Sequence, residues 1–335
     1  MAELSAGKLA HLKALSTSEG IIAAAAMDQR GSLKKAIAKG KGVDPSAVTD
    51  QQMEEFKSAV SKVLTPHASA ILLDPEWGLP AAKQRAANAG LLLAYEETGY
   101  DNTQPGRLPD LLPHVSAKRI VDWGANAVKI LIYYTPFEDP EINDIKHAFI
   151  ERVGSECEDL EIPFFLEFVG YDPKGGGEKT LEYAKIKPQV VIGSMKEFSK
   201  PQYKVDVLKV EVPINATYVE GSAAFKGEKA QSYDEALALF REAADVAKVP
   251  FIYLSAGVTN DIFIENLTMA KDAGTDFSGV LCGRATWADG MGIYAKGGVN
   301  ALEDWLSDQG VKNIERVNEA LKGATPWTKK LGVEV

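Results

Sequence analysis

A lysine stands in the middle of an apolar, β-branched segment, where charged side chains are rare. The segment covers residues 207–213 and reads VLKVEVP, a composition that predicts a strand. Lysine is almost never buried unless another group pairs with it or uses it. Burial lowers the pKa of a lysine, and the neutral amine is a nucleophile toward a carbonyl carbon. Lys209 is therefore a candidate for imine formation with a ketone.

Three more charged residues lie in other apolar segments. Asp28 ends the first of these segments, Lys129 lies in the fourth and Glu167 in the fifth. A single lysine or glutamate on a strand more often faces outward or forms a structural ion pair. Four such residues on four strands are better explained by one shared pocket that holds two cations and two anions.

Imine chemistry needs this combination of groups. Lys209 is the predicted nucleophile, and Lys129 is the cation that tunes the amine and holds substrate hydroxyls. Glu167 is the predicted acid and base, because a proton must reach the carbinolamine as it loses water and must move again at a substrate hydroxyl. Asp28 is predicted to orient the lysines and a substrate hydroxyl.

Three further carboxylates lie in or at the ends of predicted strands. Asp74 and Glu96 are interpreted as caps of the turns that follow their strands. Glu211 lies two residues after Lys209 and is expected to share its face of the strand as a supporting ion pair.

The elements that position these residues are short apolar segments that alternate with helical ones. The eight predicted strands are residues 21–28, 69–74, 91–96, 127–133, 164–169, 205–212, 251–256 and 279–282. Strands separated by helices pair in parallel through right-handed crossovers, and eight such units predict an α/β fold, a (β/α)8 TIM barrel. We expect a single domain over residues 1–335 with an extra N-terminal helix at residues 5–15. The alternative is an open doubly wound sheet, but no dinucleotide or P-loop fingerprint follows a strand.

Two of the intervening helices carry local signals. Thr49 and Gln52 form a predicted capping box, and a second helix is indicated by four apolar residues at helical spacing. These four are Ile142, Ile145, Phe149 and Val153.

Three strand ends are candidates for phosphate binding. Glycine allows close backbone approach, helix N-termini attract anions, and barrels often hold phosphate after strands seven and eight. The alternative for these glycines is ordinary turn geometry. The candidates are Gln29 and Arg30 after the first strand, Ser255, Ala256 and Gly257 after the seventh, and Gly283 and Arg284 after the eighth. The glycines at 175–177 are interpreted as a mobile loop over the barrel mouth.

Composition excludes several classes of protein. The net charge of −10 argues against nucleic acid or an anionic membrane as a partner. Cys157 and Cys282 show no disulfide or zinc pattern, which favours a reducing, cytoplasmic location. The N-terminal segment is amphipathic rather than secretory, and the early apolar run at residues 21–27 is too short to cross a bilayer. The four histidines show no metal-ligand spacing, so we expect a metal-free mechanism without a cofactor.

With these residues placed, the chain resembles the class I, Schiff-base tagatose 1,6-bisphosphate aldolases nearly end to end. The matching segments are 27–31 (MDQRG), 72–80 (LLDPEWGLP), 91–96 (LLLAYE), 127–129 (AVK), 150–157 (IERVGSEC), 207–213 (VLKVEVP), 253–258 (YLSAGV) and 281–287 (LCGRATW). The resemblance implies the same roles for the four charged strand residues and phosphate contacts from the three strand ends.

The resemblance also implies a reaction. It is the reversible cleavage of tagatose 1,6-bisphosphate to dihydroxyacetone phosphate and glyceraldehyde 3-phosphate, in an enzyme that is commonly a homo-oligomer. Fructose 1,6-bisphosphate and the sulfonated 6-deoxy-6-sulfofructose 1-phosphate are alternative substrates, because fold alone does not choose among them. A non-catalytic sugar-phosphate sensor is the alternative from another functional class. The intact Lys209 and Glu167 argue against a sensor, which would not need the imine.

Overall fold

Eight parallel strands close into a barrel in a computed structural model that describes residues 4–97 and 104–333. Each strand pairs with its neighbours in chain order, and the first also pairs with the eighth. The barrel strands are β1 Ile22–Met27, β2 Ala70–Leu73, β3 Gly90–Ala94, β4 Ala127–Tyr133, β5 Phe164–Val169, β6 Val207–Val210, β7 Phe251–Leu254 and β8 Gly279–Cys282. The predicted (β/α)8 barrel is therefore confirmed.

Helices surround the barrel. They are α1 Ala6–Ala14, α2 Gly31–Lys41, α3 Asp50–Leu64, α4 Leu79–Ala82, α5 Ala117–Asp122, α6 Pro140–Asp159, α7 Leu181–Phe198, α8 Tyr233–Val246, α9 Asn260–Asp272, α10 Arg284–Trp287, α11 Gly290–Trp305, α12 Val311–Ala320 and α13 Trp327–Leu331. Within the described residues, no helix combines the length and the apolar character that a bilayer span requires. A two-stranded ribbon, Val219–Glu220 with Gln231–Ser232, was not predicted because two residues are too few to give a strand pattern.

The local helix signals had different outcomes. The capping box is confirmed, since Thr49 and Gln52 exchange side-chain to backbone hydrogen bonds at the start of α3. The predicted apolar face of α6 is partly wrong, because Ile145 is 51% exposed. Helix α6 instead buries Asn143 and Lys146 beside Ile150 and Val153. Asn143 donates to the carbonyl oxygen of Thr135 and Lys146 to the hydroxyl of Tyr171, each at 3.0 Å, so hydrophobicity alone misplaced the inner face.

Alternate strand residues fill the barrel interior. The inward side chains nearer the amino-terminal end form one apolar cluster, namely Ile22, Ala24, Ala26, Ala70, Leu72, Leu92, Ala127, Phe165, Val207, Ile252 and Leu281. Leu12 and Leu15 at α1 and Trp327 of α13 belong to the same cluster and close that end of the barrel. A buried ion pair of 2.8 Å between Lys8 and Asp206 fastens α1 to the start of β6. The extra N-terminal helix is therefore the floor of the barrel.

Candidate active site

The charged residues lie one pleat above the apolar layer. Side chains of a strand alternate between its two faces, so a residue two positions after an inward one also points inward. Asp28 follows the inward Ala26 by two positions, and Lys209 follows Val207 in the same way. The same parity places Lys129 above Ala127 and Glu167 above Phe165. The structure thus brings all four predicted catalytic residues into one lumen, near the carboxyl ends of the strands.

Glu167 joins the two lysines. Its Oε2 atom lies 2.8 Å from Nζ of Lys209 and 2.9 Å from Nζ of Lys129. Register explains the first contact, because Glu167 and Lys209 are direct partners on β5 and β6. Lys209 is only 4% exposed and Glu167 only 6%. A desolvated amine therefore shares one carboxylate oxygen with a second cation.

Lys129 is enclosed by carboxylates. Its Nζ lies 2.9 Å from Asp28, 2.8 Å from Glu96 and 2.9 Å from Glu167, and the side chain has no exposed surface. Burial acts to lower the pKa of Lys129, but the charges of Asp28, Glu167 and Glu96 outweigh it and hold the pKa well above its usual value. Lys129 is therefore a fixed cation across the whole working pH range.

Asp28 stays ionised for a related reason. Burial acts to raise the pKa of its carboxyl, yet the ammonium groups of Lys129, Lys209 and Lys57 lower that pKa well below the usual range. Its Oδ2 atom accepts from Lys129, whereas Oδ1 is buried without a hydrogen-bond partner among the described residues. One oxygen is thus free to accept a proton donor such as a sugar hydroxyl.

Glu96 belongs to this cluster, and its interpretation as a turn cap is wrong. Besides binding Lys129, its Oε2 atom accepts the backbone N–H of Leu131 at 3.1 Å, across from β3 to β4. Burial raises the pKa of Glu96, and Lys129 and Arg30 act against that rise. Parity could have found it, because Glu96 lies four residues beyond the inward Leu92.

A second buried ion pair supports the site from outside the barrel. Lys57 of α3 and Asp74 lie 2.6 Å apart with no exposed side-chain surface. Lys57 also donates to the backbone carbonyls of Met27 and Gln29, each at 2.8 Å, on either side of Asp28. Asp74 does cap its turn, since Oδ1 accepts the N–H of Trp77 at 2.9 Å. The sequence signal for Lys57 was its position on the apolar face of α3, next to Phe56.

Replacing Lys57 with methionine is expected to lower the free energy of unfolding by about 3–5 kcal/mol, because Asp74 would remain buried and charged without its partner. Urea unfolding measures this loss. The matched control is Lys62→Met on the same helix, since Lys62 pairs with Glu303 at 2.8 Å in an exposed position. That variant should lose about 0–1 kcal/mol. Equal losses in the two variants would contradict the role given to Lys57.

The predicted phosphate-binding segments after β7 and β8 lie side by side. The backbone turns through positive φ at Ala256 (47°) and Gly257 (73°). A Cβ on Gly257 would approach the guanidinium carbon of Arg284 to 2.7 Å, so the glycine lets Arg284 lie directly over the turn. Arg284 is exposed and makes no ion pair with any described residue, whereas Ser255 is buried.

Gln29 reaches the same corner of the mouth. A Cβ on Gly283 would lie 3.4 Å from Nε2 of Gln29 and 3.0 Å from the carbonyl oxygen of Ala26. The close approach of β8 to β1 therefore depends on a glycine at this position. Segments after β1, β7 and β8 therefore meet at one corner of the mouth, beside the guanidinium of Arg284.

Arg30 differs from the other phosphate candidates. It is only 4% exposed, and its guanidinium donates to Glu76 at 2.9 Å and to the backbone carbonyl of Glu96 at 2.8 Å. These contacts turn Arg30 toward carboxylates and away from the corner formed by Arg284. Its phosphate role stays a prediction, and the structure gives it other partners.

The loops after β3, β5 and β6 contact one another at the mouth of the barrel. Glu211 accepts the N–H of Gly170 at 2.8 Å and lies 3.4 Å from Lys187, and among the described residues no contact joins it to Lys209. Arg107 stacks on Tyr171, with its guanidinium carbon 4.7 Å from the ring centre, and pairs with Glu178 at 2.9 Å. The expected pairing of Glu211 with Lys209 is therefore wrong, and Glu211 pairs with Lys187 instead.

The predicted mobile loop at residues 175–177 is exposed, with positive φ at Gly175 and Gly177. Its role over the mouth stays a prediction. In the described part of the chain, no group of three or more histidine, cysteine, aspartate or glutamate side chains is arranged to hold a metal ion.

Comparison with known proteins places this geometry in a family. The model of the DeoC/LacD family of aldolases matches residues 22–289, which include all eight barrel strands. A tagatose 1,6-diphosphate aldolase 2 of Enterococcus faecalis is 56% identical over 334 residues, covering 99% of each chain. A tagatose 1,6-diphosphate aldolase of Listeria monocytogenes is 53% identical over 333 residues, covering 99% of this chain and 97% of the other.

Solved structures agree on the fold. A fructose-bisphosphate aldolase from Plasmodium falciparum superposes with a TM-score of 0.66 at 14% identity, covering 97% of this chain and 96% of that one. A Schiff-base-forming fructose-1,6-bisphosphate aldolase gives a TM-score of 0.54, also at 14% identity, covering 93% and 98%. At this identity the likeness concerns the barrel alone.

Proposed function

Because this chain belongs to the DeoC/LacD family of aldolases, we propose that it cleaves D-tagatose 1,6-bisphosphate reversibly to dihydroxyacetone phosphate and glyceraldehyde 3-phosphate. The reaction would proceed through an imine on Lys209, as in class I aldolases. The observation that carries the proposal is the contact of 2.8 Å between the buried Lys209 amine and the Glu167 carboxylate, beside a second lysine. The names of the curated relatives support the choice of substrate.

Imine formation follows from this contact. The Lys209 ammonium passes a proton to Glu167, and the neutral amine attacks the C2 carbonyl carbon. As the C–N bond forms, the C=O π pair moves to the oxygen, which takes the proton that the nitrogen gives up, and a neutral carbinolamine results. Glu167 then protonates the carbinolamine hydroxyl, which leaves as water, and the C=N bond of the iminium forms. Glu167 can serve both steps because it already lies within hydrogen-bond distance of the amine.

Carbon–carbon cleavage uses the iminium as an electron sink. Glu167, the proposed base, takes the proton of the C4 hydroxyl. The aldehyde C=O forms as the C3–C4 bond breaks. The electron pair of that bond moves to the iminium and gives an enamine on Lys209. After glyceraldehyde 3-phosphate leaves, the proton that Glu167 took from the C4 hydroxyl is given to C3 of the enamine, and water hydrolyses the resulting iminium to dihydroxyacetone phosphate and the free lysine.

The fixed charges around the amine support these steps. Lys129 stays an ammonium, and its Nζ lies 2.9 Å from the same Glu167 oxygen that contacts the Lys209 amine. The N–H groups of Lys129 face the carboxylates of Asp28, Glu96 and Glu167, whereas Oδ1 of Asp28 has no hydrogen-bond partner among the described residues and can accept from a substrate hydroxyl. Both groups are preorganised by ion pairs, so little reorganisation is needed when charge develops.

The phosphate corner yields a separate prediction. Arg284→Ala should raise KM for the bisphosphate by about 10–100-fold, because a charge-assisted bidentate contact contributes about 1.5–3 kcal/mol. The change in kcat should be smaller, because a phosphate contact made equally in the ground state and the transition state changes KM and not kcat. Steady-state kinetics measure both constants, and Arg316→Ala is the control, because Arg316 lies in an exposed pair with Asp261. An unchanged KM would move the phosphate site away from Arg284.

Side-by-side kinetics test the substrate. The proposal expects the highest kcat/KM with tagatose 1,6-bisphosphate, turnover of fructose 1,6-bisphosphate at a lower or similar value, and activity that survives dialysis against a metal chelator. A much higher kcat/KM with sulfofructose phosphate would assign the chain to that substrate instead. Absence of turnover with all three compounds would favour the sugar-phosphate sensor.

The proposal extends to the setting of the enzyme. We expect one domain over residues 1–335, a homo-oligomer in the cytoplasm, and no nucleic-acid or membrane partner. The net charge of −10 and the two unpaired cysteines support these expectations. Sedimentation equilibrium measures the oligomeric state.

A further inference from the structure

A series of ion pairs links Glu76, in the loop after β2, to the reacting amine. Glu76 pairs with Arg30, and Arg30 lies 3.8 Å from Glu96. Glu96 binds Lys129, which shares Glu167 with the amine of Lys209. We propose that Glu96, clamped by Arg30, is a positioning residue that holds the Lys129 ammonium against Glu167. The inference rests on the proposed imine mechanism and adds roles for Glu96 and Arg30, which that mechanism does not use.

The contacts of Lys129 show why a third carboxylate matters. An ammonium has three N–H donors, and the three carboxylates of Asp28, Glu96 and Glu167 lie within 2.8–2.9 Å of Nζ. The side chain is fully buried, so no solvent replaces a lost partner. If residue 96 carried no charge, Lys129 would lose one charged contact, and its ammonium could move away from Glu167 toward Asp28.

Glu96 is itself held at three points, which makes it suited to this task. Its Oε1 atom takes the Lys129 N–H, and Oε2 accepts from the backbone of Leu131 at 3.1 Å. The guanidinium of Arg30 donates to the Glu96 carbonyl oxygen at 2.8 Å. Arg30 thus fixes the backbone from which the carboxylate extends, and a rigid supporting group keeps a site within the narrow tolerance that catalysis requires.

The same contacts argue against Arg30 as a phosphate ligand. Its guanidinium faces two carboxylates and one carbonyl, and a bound phosphate would have to displace Glu76 at 2.9 Å from a side chain that is only 4% exposed. Arg284, by contrast, is exposed and unpaired among the residues described. The two arginines therefore predict different kinetic effects.

The test measures kcat, KM, inhibition by inorganic phosphate and borohydride trapping in four variants of the full chain. Glu96→Gln is expected to lower kcat by about 10–100-fold, since a displacement of about 1 Å can cost 100-fold in rate. KM and the phosphate inhibition constant should stay within about twofold. Glu96→Asp, which keeps the charge, should recover part of kcat. Arg30→Met should lower kcat in the same direction without weakening phosphate inhibition.

Asp206→Asn is the matched control. Asp206 is also a buried carboxylate paired with a lysine, Lys8 at 2.8 Å, but at the opposite end of the barrel. It should lose stability and keep kcat. If Glu96→Gln does not fold by circular dichroism, Glu96→Asp and Arg30→Lys carry the same comparison, each with a partial loss of kcat.

The outcomes separate this inference from the proposed function. A kcat within twofold of wild type in Glu96→Gln would overturn the positioning role. An inhibition constant for phosphate that rises more than about fivefold in Arg30→Met, with kcat unchanged, would also overturn it, because Arg30 would then be a phosphate ligand. Trapping of the wild-type amine would leave the proposed function intact in either case. Failure to trap the wild-type enzyme would remove the mechanism and this inference together.

Discussion

Lys209→Ala is expected to abolish turnover, with a loss in kcat on the order of 10⁴-fold or more. The reason is chemical, because no other described residue presents a desolvated amine against Glu167 except Lys129. Lys129 cannot substitute, since three carboxylates hold its pKa well above the usual value and keep it protonated. An aldehyde-release assay measures the loss.

The fold of this variant should persist. Removing Lys209 does not leave Glu167 unpaired, because Lys129 stays 2.9 Å from the same carboxylate oxygen. Circular dichroism should therefore match wild type. Lys209→Arg separates charge from nucleophilicity, since it keeps a cation on the strand but cannot form the imine. Near wild-type activity in either variant would remove Lys209 from the mechanism.

Glu167→Gln is expected to lower kcat by about 10²–10⁴-fold, the range usual for a lost general acid or base. The amide keeps the shape of the side chain but no longer exchanges a proton with the amine 2.8 Å away. It also leaves the ammonium of Lys129 with two carboxylate neighbours instead of three. Single-turnover trapping with borohydride should show slower imine formation, because loss of water from the carbinolamine lacks its proton donor.

The control for this variant is Glu167→Asp. It keeps the charge but withdraws the carboxylate from the amine by one methylene, so an intermediate loss in kcat is expected. Equal kcat values for wild type and Glu167→Gln would assign the proton transfers to another group. Asp28 would then be the next candidate, because it shares Lys129 and has one oxygen without a partner among the described residues.

Strand periodicity was sufficient to predict the barrel and the four charged residues inside it. Lys209, Glu167 and Lys129 each have apolar residues immediately before and after them, so each charged residue stands out locally. Inward direction then follows from parity, because a strand has only two faces. The structure adds the register that makes Glu167 and Lys209 direct partners.

The parts of the site that could not be predicted from the sequence depend on contacts between distant segments. Glu96 and Asp74 end their strands and match a capping pattern equally well, and only closure of the barrel brings lysines to them. Arg30 follows a strand as a phosphate ligand would, yet its partners lie 46 and 66 residues away in sequence. A local pattern does not distinguish a guanidinium that faces a ligand from one that faces a buried carboxylate.

Borohydride reduction in the presence of dihydroxyacetone phosphate, followed by trypsin and mass spectrometry, tests the imine most directly. Trypsin does not cleave after an alkylated lysine, so an adduct on Lys209 should join residues 205–226 into one modified peptide. Without reductant the same region should give the separate peptides 205–209 and 210–226. An adduct confined to residues 120–146, which contain Lys129, or no adduct at all, would contradict the assignment of Lys209 as the imine-forming residue.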